Sequence, residues 1–209
     1  MTTTIPRASA ILGAARTLAA KLLLAVPIDR AALGEAMTES AGGNDAAGAW
    51  KQRDSFEALE VALSLVIPEL VGRMDVGAAI HTLEALAREL PTHTVRSEDQ
   101  IQFQQFSTPP ALARLAVHLA RLSSDDMLLE PSAGTGIIAS LAKGSVRDLI
   151  LNELEPTRAD LLEAVFPGKK VYRHDGAKLS ALLSGTERPS VVLMNPPFSV
   201  SQSRGEDQN

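Results

Sequence analysis

Residues 191–200 read VVLMNPPFSV, an apolar run that stops at an asparagine, two prolines and a phenylalanine. The chemistry open to this group is that of holding a flat amine. The Asn195 side-chain oxygen and the Pro196 carbonyl are both acceptors for an exocyclic amino group. Phe198 offers a ring face for a base to stack on, a contact worth roughly 1–3 kcal/mol. Pro196 and Pro197 lack an N–H and fix their own φ, so they end strand pairing and leave a stiff corner. Two acceptors on one aromatic amine draw its lone pair out of the ring and turn it toward an electrophile. That is preorganised geometry and electrostatics, with no nucleophilic side chain required.

An electrophile needs a seat, and LLEPSAGTG (residues 128–136) has the residues to make one. Gly134 and Gly136 permit a tight turn and close approach to a ligand, with Pro131, Ala133 and Thr135 completing the bend. From Ile137 a helix begins whose first N–H groups face the same space. Glu130, just ahead of the bend, repels pyrophosphate and suits a cationic or amino-bearing ligand, and no Lys-Ser/Thr phosphate-loop pair follows. S-adenosylmethionine, a sulfonium with an amino acid group, fits this pattern better than a nucleoside triphosphate. A lone Gly-x-Gly is equally the mark of a structural turn.

Three further groups extend the pattern. LILNELEP sets Glu153 at the end of an apolar run, where a carboxylate accepts from two ribose hydroxyls. Glu155, two residues on, competes for that role. RHDG puts Asp175 where it can accept from an adenine amine, although Asp-Gly is also an ordinary turn pair. His174 reads as structural. In QQFSTPPALARLAVHLA, Ser107 and Thr108 can cap a helix that has Pro109 or Pro110 at its first positions, with Leu112, Leu115, Ala116 and Leu119 inward. The functional reading is that Phe106, Ser107 and Thr108 cover the methionine end of the cofactor.

The positioning elements follow from periodicity. Apolar runs at 127–130, 148–153, 171–174 and 190–194 alternate with helical stretches, which predicts βαβ units and a parallel sheet. Such sheets bind ligands beyond the carboxyl ends of their strands, and each motif above falls at such an end. Residues 1–95 read as helical instead. A first helix covers 8–26, Asp29 caps a second over 30–40, and Asp54 or Ser55 starts a third that bends or ends near Pro68. Asp75 caps a fourth that Pro91 stops. These four helices concentrate no chemistry and read as a small bundle or docking region. The polar stretch 91–105 is a linker, residues 96–200 form the α/β domain, and 201–209 are a polar tail.

Composition narrows the classes. Of 209 residues, 45% are hydrophobic, enough for one or two domains with a core. No cysteine is present, which excludes disulfides and thiolate metal sites, and four histidines without ligand-like spacing argue against zinc. The net charge of −5 does not support a globally basic nucleic-acid binder, while leaving room for a local basic groove. The apolar run 18–26 is short and interrupted by Lys21, so neither a membrane span nor a signal peptide is expected, and the cytoplasm is the default location.

In order, FSTPP, EPSAGTG, NEL, HDG and NPPF resemble the DNA adenine-N6 methyltransferases, specifically those in which the cofactor-covering helix precedes the glycine loop. The resemblance covers about residues 100–200 and implies a Rossmann-like S-adenosylmethionine methyltransferase fold. By it, Phe106 and Thr108 match the cofactor cover, and Glu130 with Ala133 to Gly136 the loop under the methionine. Glu153 matches the ribose ligand, Asp175 the adenine ligand, and Asn195 to Phe198 the target-amine clamp. DNA is then the implied partner, although RNA and protein-glutamine methyltransferases use similar clamps. The longer pattern, with LPTHT, NELEPTRADLL, FPG and RPSVVLMNPPFS, is similar to the N-terminal region of bacterial strawberry-notch-like proteins, where a methylase-like domain precedes a helicase-like ATPase. That likeness implies, as an alternative, a noncatalytic docking or nucleic-acid-positioning module. A complete sheet of this class has three more strands after the fourth. The expectation is therefore an incomplete sheet, part of a larger protein, whose strand 191–194 is an exposed apolar edge.

Overall fold

The computed structural model describes residues 5–92 and 107–196. Four helices come first: α1 (Arg7–Leu23), α2 (Arg30–Ala41), α3 (Gln52–Val71) and α4 (Val76–Glu89). Their ends follow local chemistry. The Asp29 carboxylate accepts from Ala32 N at 2.8 Å and that of Asp75 from Ala78 N at 3.0 Å, each satisfying an orphan donor of a first turn. One stripe of α1, from Ala10 and Ile11 through Ala14, Ala15, Leu18 and Leu22, is buried. Its alanines let α3 and α2 approach closely.

The second half runs α5 (Pro110–Leu119), β1 (Met127–Glu130), α6 (Ile137–Ala142), β2 (Asp148–Asn152), α7 (Pro156–Val165), β3 (Lys170–Tyr172), a 3-10 helix (Gly176–Ala181) and β4 (Val191–Val192). All pairings are parallel and the strand order is β3-β2-β1-β4. This is the order of the first four strands of a doubly wound Rossmann sheet, in which the order reverses between β1 and β4. The expected α/β class with a helical region ahead of it is what the structure shows. Pairing at β4 continues past the strand through Ser190 N to Met127 O at 3.0 Å and Leu193 N to Leu129 O at 3.1 Å. One hydrophobic core runs from α1, α2 and α3 through to β1, β2, α6 and α7.

Two local expectations are corrected. Helix α3 starts at Gln52, with Asp54 at its third position accepting from Lys51 N at 2.9 Å, and it continues through Pro68 to Val71. Pro68 sits in the last turns, so its missing N–H removes one bond near the helix end instead of breaking the helix. In α5 the inward face is Ala113 and Val117, while Leu112 and Leu119 are 58% and 68% exposed. The helix carries two adjacent apolar stripes, and the small residues take the tight contact with α4 and α6. The boundaries at 95/96 and 200/201 lie outside the described residues. Among the described residues no helix is long and apolar enough to cross a membrane, and no group of three or more His, Asp or Glu is placed to hold a metal ion.

Candidate functional site

The carboxyl ends of β1, β2 and β3 are tied together by backbone groups and one asparagine. Beyond β1 the chain bends at Gly134 (φ 56°) and Gly136 (φ 85°), with Gly136 N donating to Ala133 O at 2.8 Å. Ala133 N donates to Asn152 O at 2.9 Å. The buried Asn152 side chain completes the join: Nδ2 donates to Pro131 O and to His174 O, both at 2.8 Å, and Oδ1 accepts from His174 N at 3.0 Å. Sequence reasoning passed over Asn152. Its signal was a lone amide at the end of an otherwise apolar strand, where burial demands a full set of partners.

Gly136 is where a side chain cannot go. A Cβ there would lie 2.5 Å from Phe166 Cε2 and 2.9 Å from Leu162 Cδ2, on a backbone already in the left-handed region. The left-handed penalty of roughly 1–2 kcal/mol adds to an overpacking cost of about 1–3 kcal/mol. Gly136→Ala is expected to lower unfolding free energy by about 2–5 kcal/mol in urea titrations. A loss below about 1 kcal/mol would mean that the bend relaxes freely.

The two strand-end glutamates support the bend. Glu130 is buried, and its Oε2 accepts from Ala139 N at 3.0 Å, so the α6 N–H that sequence reasoning turned toward a ligand is met by the end of β1. Burial holds the Glu130 carboxyl well above the usual carboxylate range; the Ala139 N–H opposes this and the nearby Glu153 charge adds to it. Glu153 accepts from Gly134 N at 2.8 Å through Oε2 and from Glu155 N at 2.9 Å through Oε1, which locks the bend to the β2 tip. Glu155 caps α7 by accepting from Arg158 N at 2.7 Å. Asp175 is exposed and accepts from Ala177 N at 3.1 Å at the start of the 3-10 helix.

Across the bend, Asn195 Nδ2 donates to Thr108 Oγ1 at 3.0 Å, joining the end of the β4 segment to the start of α5. The bond orients the amide and turns its carbonyl oxygen away from Thr108. Ser107, Thr108, Ala133, Gly134, Thr135 and Asn195 line one cavity of about 150 Å³. Glu130, Pro131, Gly136, Glu153 and Asp175 stand outside that lining, and Pro196 is exposed beside it. Phe106, Pro197 and Phe198 lie outside the described residues. A larger cleft of about 780 Å³ lies between α2 and the start of α3, and no strand-tip residue lines it.

The helices to which sequence reasoning gave no chemistry also reach this cavity. Glu60 of α3 and Arg158 of α7 complete its lining. Behind them lies an ion network. Glu57 Oε1 takes Arg158 Nε at 3.1 Å and Arg53 Nη2 at 3.0 Å, while Arg7 Nη2 meets Asp54 at 2.6 Å and Glu57 at 3.5 Å. Arg158 stays charged although burial works against it, because Glu60, Glu57 and Glu153 surround it. Charged residues on the inner face of an otherwise apolar helix, 53, 54, 57 and 60, were the legible sign of a buried partner.

Fold and site together define a Rossmann-like α/β protein with a small cavity of mixed polar and apolar lining at its strand tips, beside the reversal of strand order. No protein-family model matches the chain, and no curated protein matches it in sequence. Among solved structures it is similar to the crystal structure of a proposed RNA methyltransferase from Pyrococcus horikoshii. That match has 24% sequence identity and a TM-score of 0.43, over 58% of this chain and 61% of that one. The chain thus matches less than two thirds of that protein's length.

Proposed function

We propose that the chain is an S-adenosylmethionine-dependent N-methyltransferase domain acting on the N6 amine of adenine in DNA. The observation that carries this reading is the Asn195–Thr108 hydrogen bond. It holds a carboxamide, with Pro196 behind it, on the wall of a cavity shared with the glycine bend. The residues suit the cofactor. The lining offers one carboxylate, one guanidinium and a backbone bare of Cβ at Gly134, a balance that favours a zwitterionic amino acid end over a polyphosphate. When bound, the cofactor supplies an electrophilic methyl group on a sulfonium.

The protein's part is placement. Ser107, Thr108, Ala133, Gly134 and Thr135 would hold the amino acid end; exposed Asp175 at the β3 tip would serve adenine, and Glu153, which also holds Gly134 N and Glu155 N, would take ribose only through its remaining lone pairs. Asn195 Oδ1 and the Pro196 carbonyl accept the two hydrogens of the target amine, so that its lone pair is drawn out of conjugation with the ring and localises toward the methyl group. No side chain has to act as a strong base, since the proton shed by the methylated nitrogen is acidic enough to pass to water. An adenine reaches such a clamp only when extruded from the duplex.

Calorimetric titration with S-adenosylmethionine, followed by transfer of a labelled methyl group offered to duplex DNA, RNA and protein, tests the reading. Binding heat and label in DNA at adenine N6 are expected. Label in protein would replace it with glutamine methylation. Absence of both heat and thermal shift would favour a noncatalytic module beside a helicase-like ATPase.

A further inference from the structure

We propose that the helical region completes the donor site, with Glu60 of α3 receiving the ammonium, and Arg158 of α7 the carboxylate, of the cofactor's amino acid end. The inference rests on the methyl-donor reading above and assigns two residues to it. Its first support is size. About 150 Å³ encloses only one end of a nucleoside-linked ligand, whose whole pocket is normally about 300–1,000 Å³. The end that enters must match what lines the space.

The second support is charge geometry. Arg158 Nη2 and Glu60 Oε2 are 3.7 Å apart, too far for a hydrogen bond, although both line the cavity. The two charges form a loose ion pair, and Arg158 has a second, hydrogen-bonded anion in Glu57, which holds its Nε at 3.1 Å. That contact fixes the guanidinium, and a Cβ on Gly134 would lie 3.7 Å from its Nη1, so the bare bend and the cation share one space. Glu60 is the more open of the two, 28% exposed against 4% for Arg158. The hydroxyl groups of Thr135, at 3.5 Å, and Ser107 steady its carboxylate. A loosely spaced carboxylate and guanidinium on one wall, each backed by separate partners, can be bridged by an ammonium and a carboxylate on a single carbon.

The third support is the surrounding field. Three carboxylates, Glu60, Glu57 and Glu153, act on the one Arg158 charge, so the site favours an added cation. Partial burial raises the Glu60 carboxyl above its ordinary range against the opposing Arg158 charge, and an ammonium seated on its open side relieves that cost.

The test compares ligands on the folded 209-residue chain by calorimetry, with melting temperature as a control. S-adenosylmethionine should bind the wild-type chain at least about tenfold more tightly than its analogue lacking the α-amino group, the size expected of one charge-assisted bond. Glu60→Gln should weaken S-adenosylmethionine by about the same factor, leave the desamino analogue and 5′-methylthioadenosine unchanged, and be partly rescued in Glu60→Asp. Equal affinities for the two cofactor forms in the wild-type chain would overturn the inference without any variant. So would a uniform loss, or no loss, across ligands in Glu60→Gln, with the cofactor reading left standing. If the wild-type chain binds none of the three compounds, the cofactor reading itself falls and takes the inference with it.

Discussion

Replacing Asn195 with alanine is expected to reduce the rate of methyl transfer by about 10²–10³-fold, the range for loss of one preorganised hydrogen-bonding group at a reacting atom. The affinity for S-adenosylmethionine should move by less than about threefold, because the lost interaction is made to the target amine and strengthens only as the nitrogen rehybridises. The carboxamide is set before substrate arrives. Thr108 takes Nδ2 at 3.0 Å, which leaves Oδ1 as the end presented to a donor. Thr108→Val should therefore act in the same direction with a smaller effect, since it frees the amide to rotate without removing the acceptor. Single-turnover transfer of a labelled methyl group to DNA, with cofactor affinity measured separately, checks both variants. Normal transfer by the Asn195→Ala protein would remove the clamp from the mechanism.

The second large effect is expected in stability. Glu57→Gln should cost about 3–5 kcal/mol, the usual result of removing one partner from a buried ion pair. The Glu57 side chain is 2% exposed, and its Oε1 is shared by the guanidinium groups of Arg53 and Arg158, themselves 6% and 4% exposed. Glutamine keeps the shape and removes the charge, so two buried cations lose their shared hydrogen-bonded anion, with Glu60 and Glu153 left near Arg158. Against a typical domain stability of roughly 5–15 kcal/mol this is a large fraction. Asp148→Asn is the contrast. Its pair with Lys169 is short, at 2.8 Å, but both side chains are more than a third exposed, and loss of about 0–1 kcal/mol is expected. Chemical denaturation of the two variants against wild type measures the difference. Equal, small losses would show that water reaches the Glu57 network.

What sequence alone determined was local and periodic. The glycine bend after β1 was legible because Gly134 and Gly136 adopt positive φ values that other residues resist. The Asp29 and Asp75 caps were legible because a first turn always has donors to satisfy. The parallel α/β half followed from short apolar runs alternating with helical stretches. Other features needed the third dimension. Whether a carboxylate faces a ligand or a backbone N–H depends on which chain passes beside it. Glu130 and Glu153 read alike in sequence, yet one caps α6 from within the core and the other locks the bend. The outward leucines of α5 were decided by which of two stripes met a close-packed neighbour. Glu60 and Thr135 lie 75 residues apart and their side chains meet at 3.5 Å. Spacing along a chain reports the period of an element, while burial and charge pairing are set by distances that only packing creates.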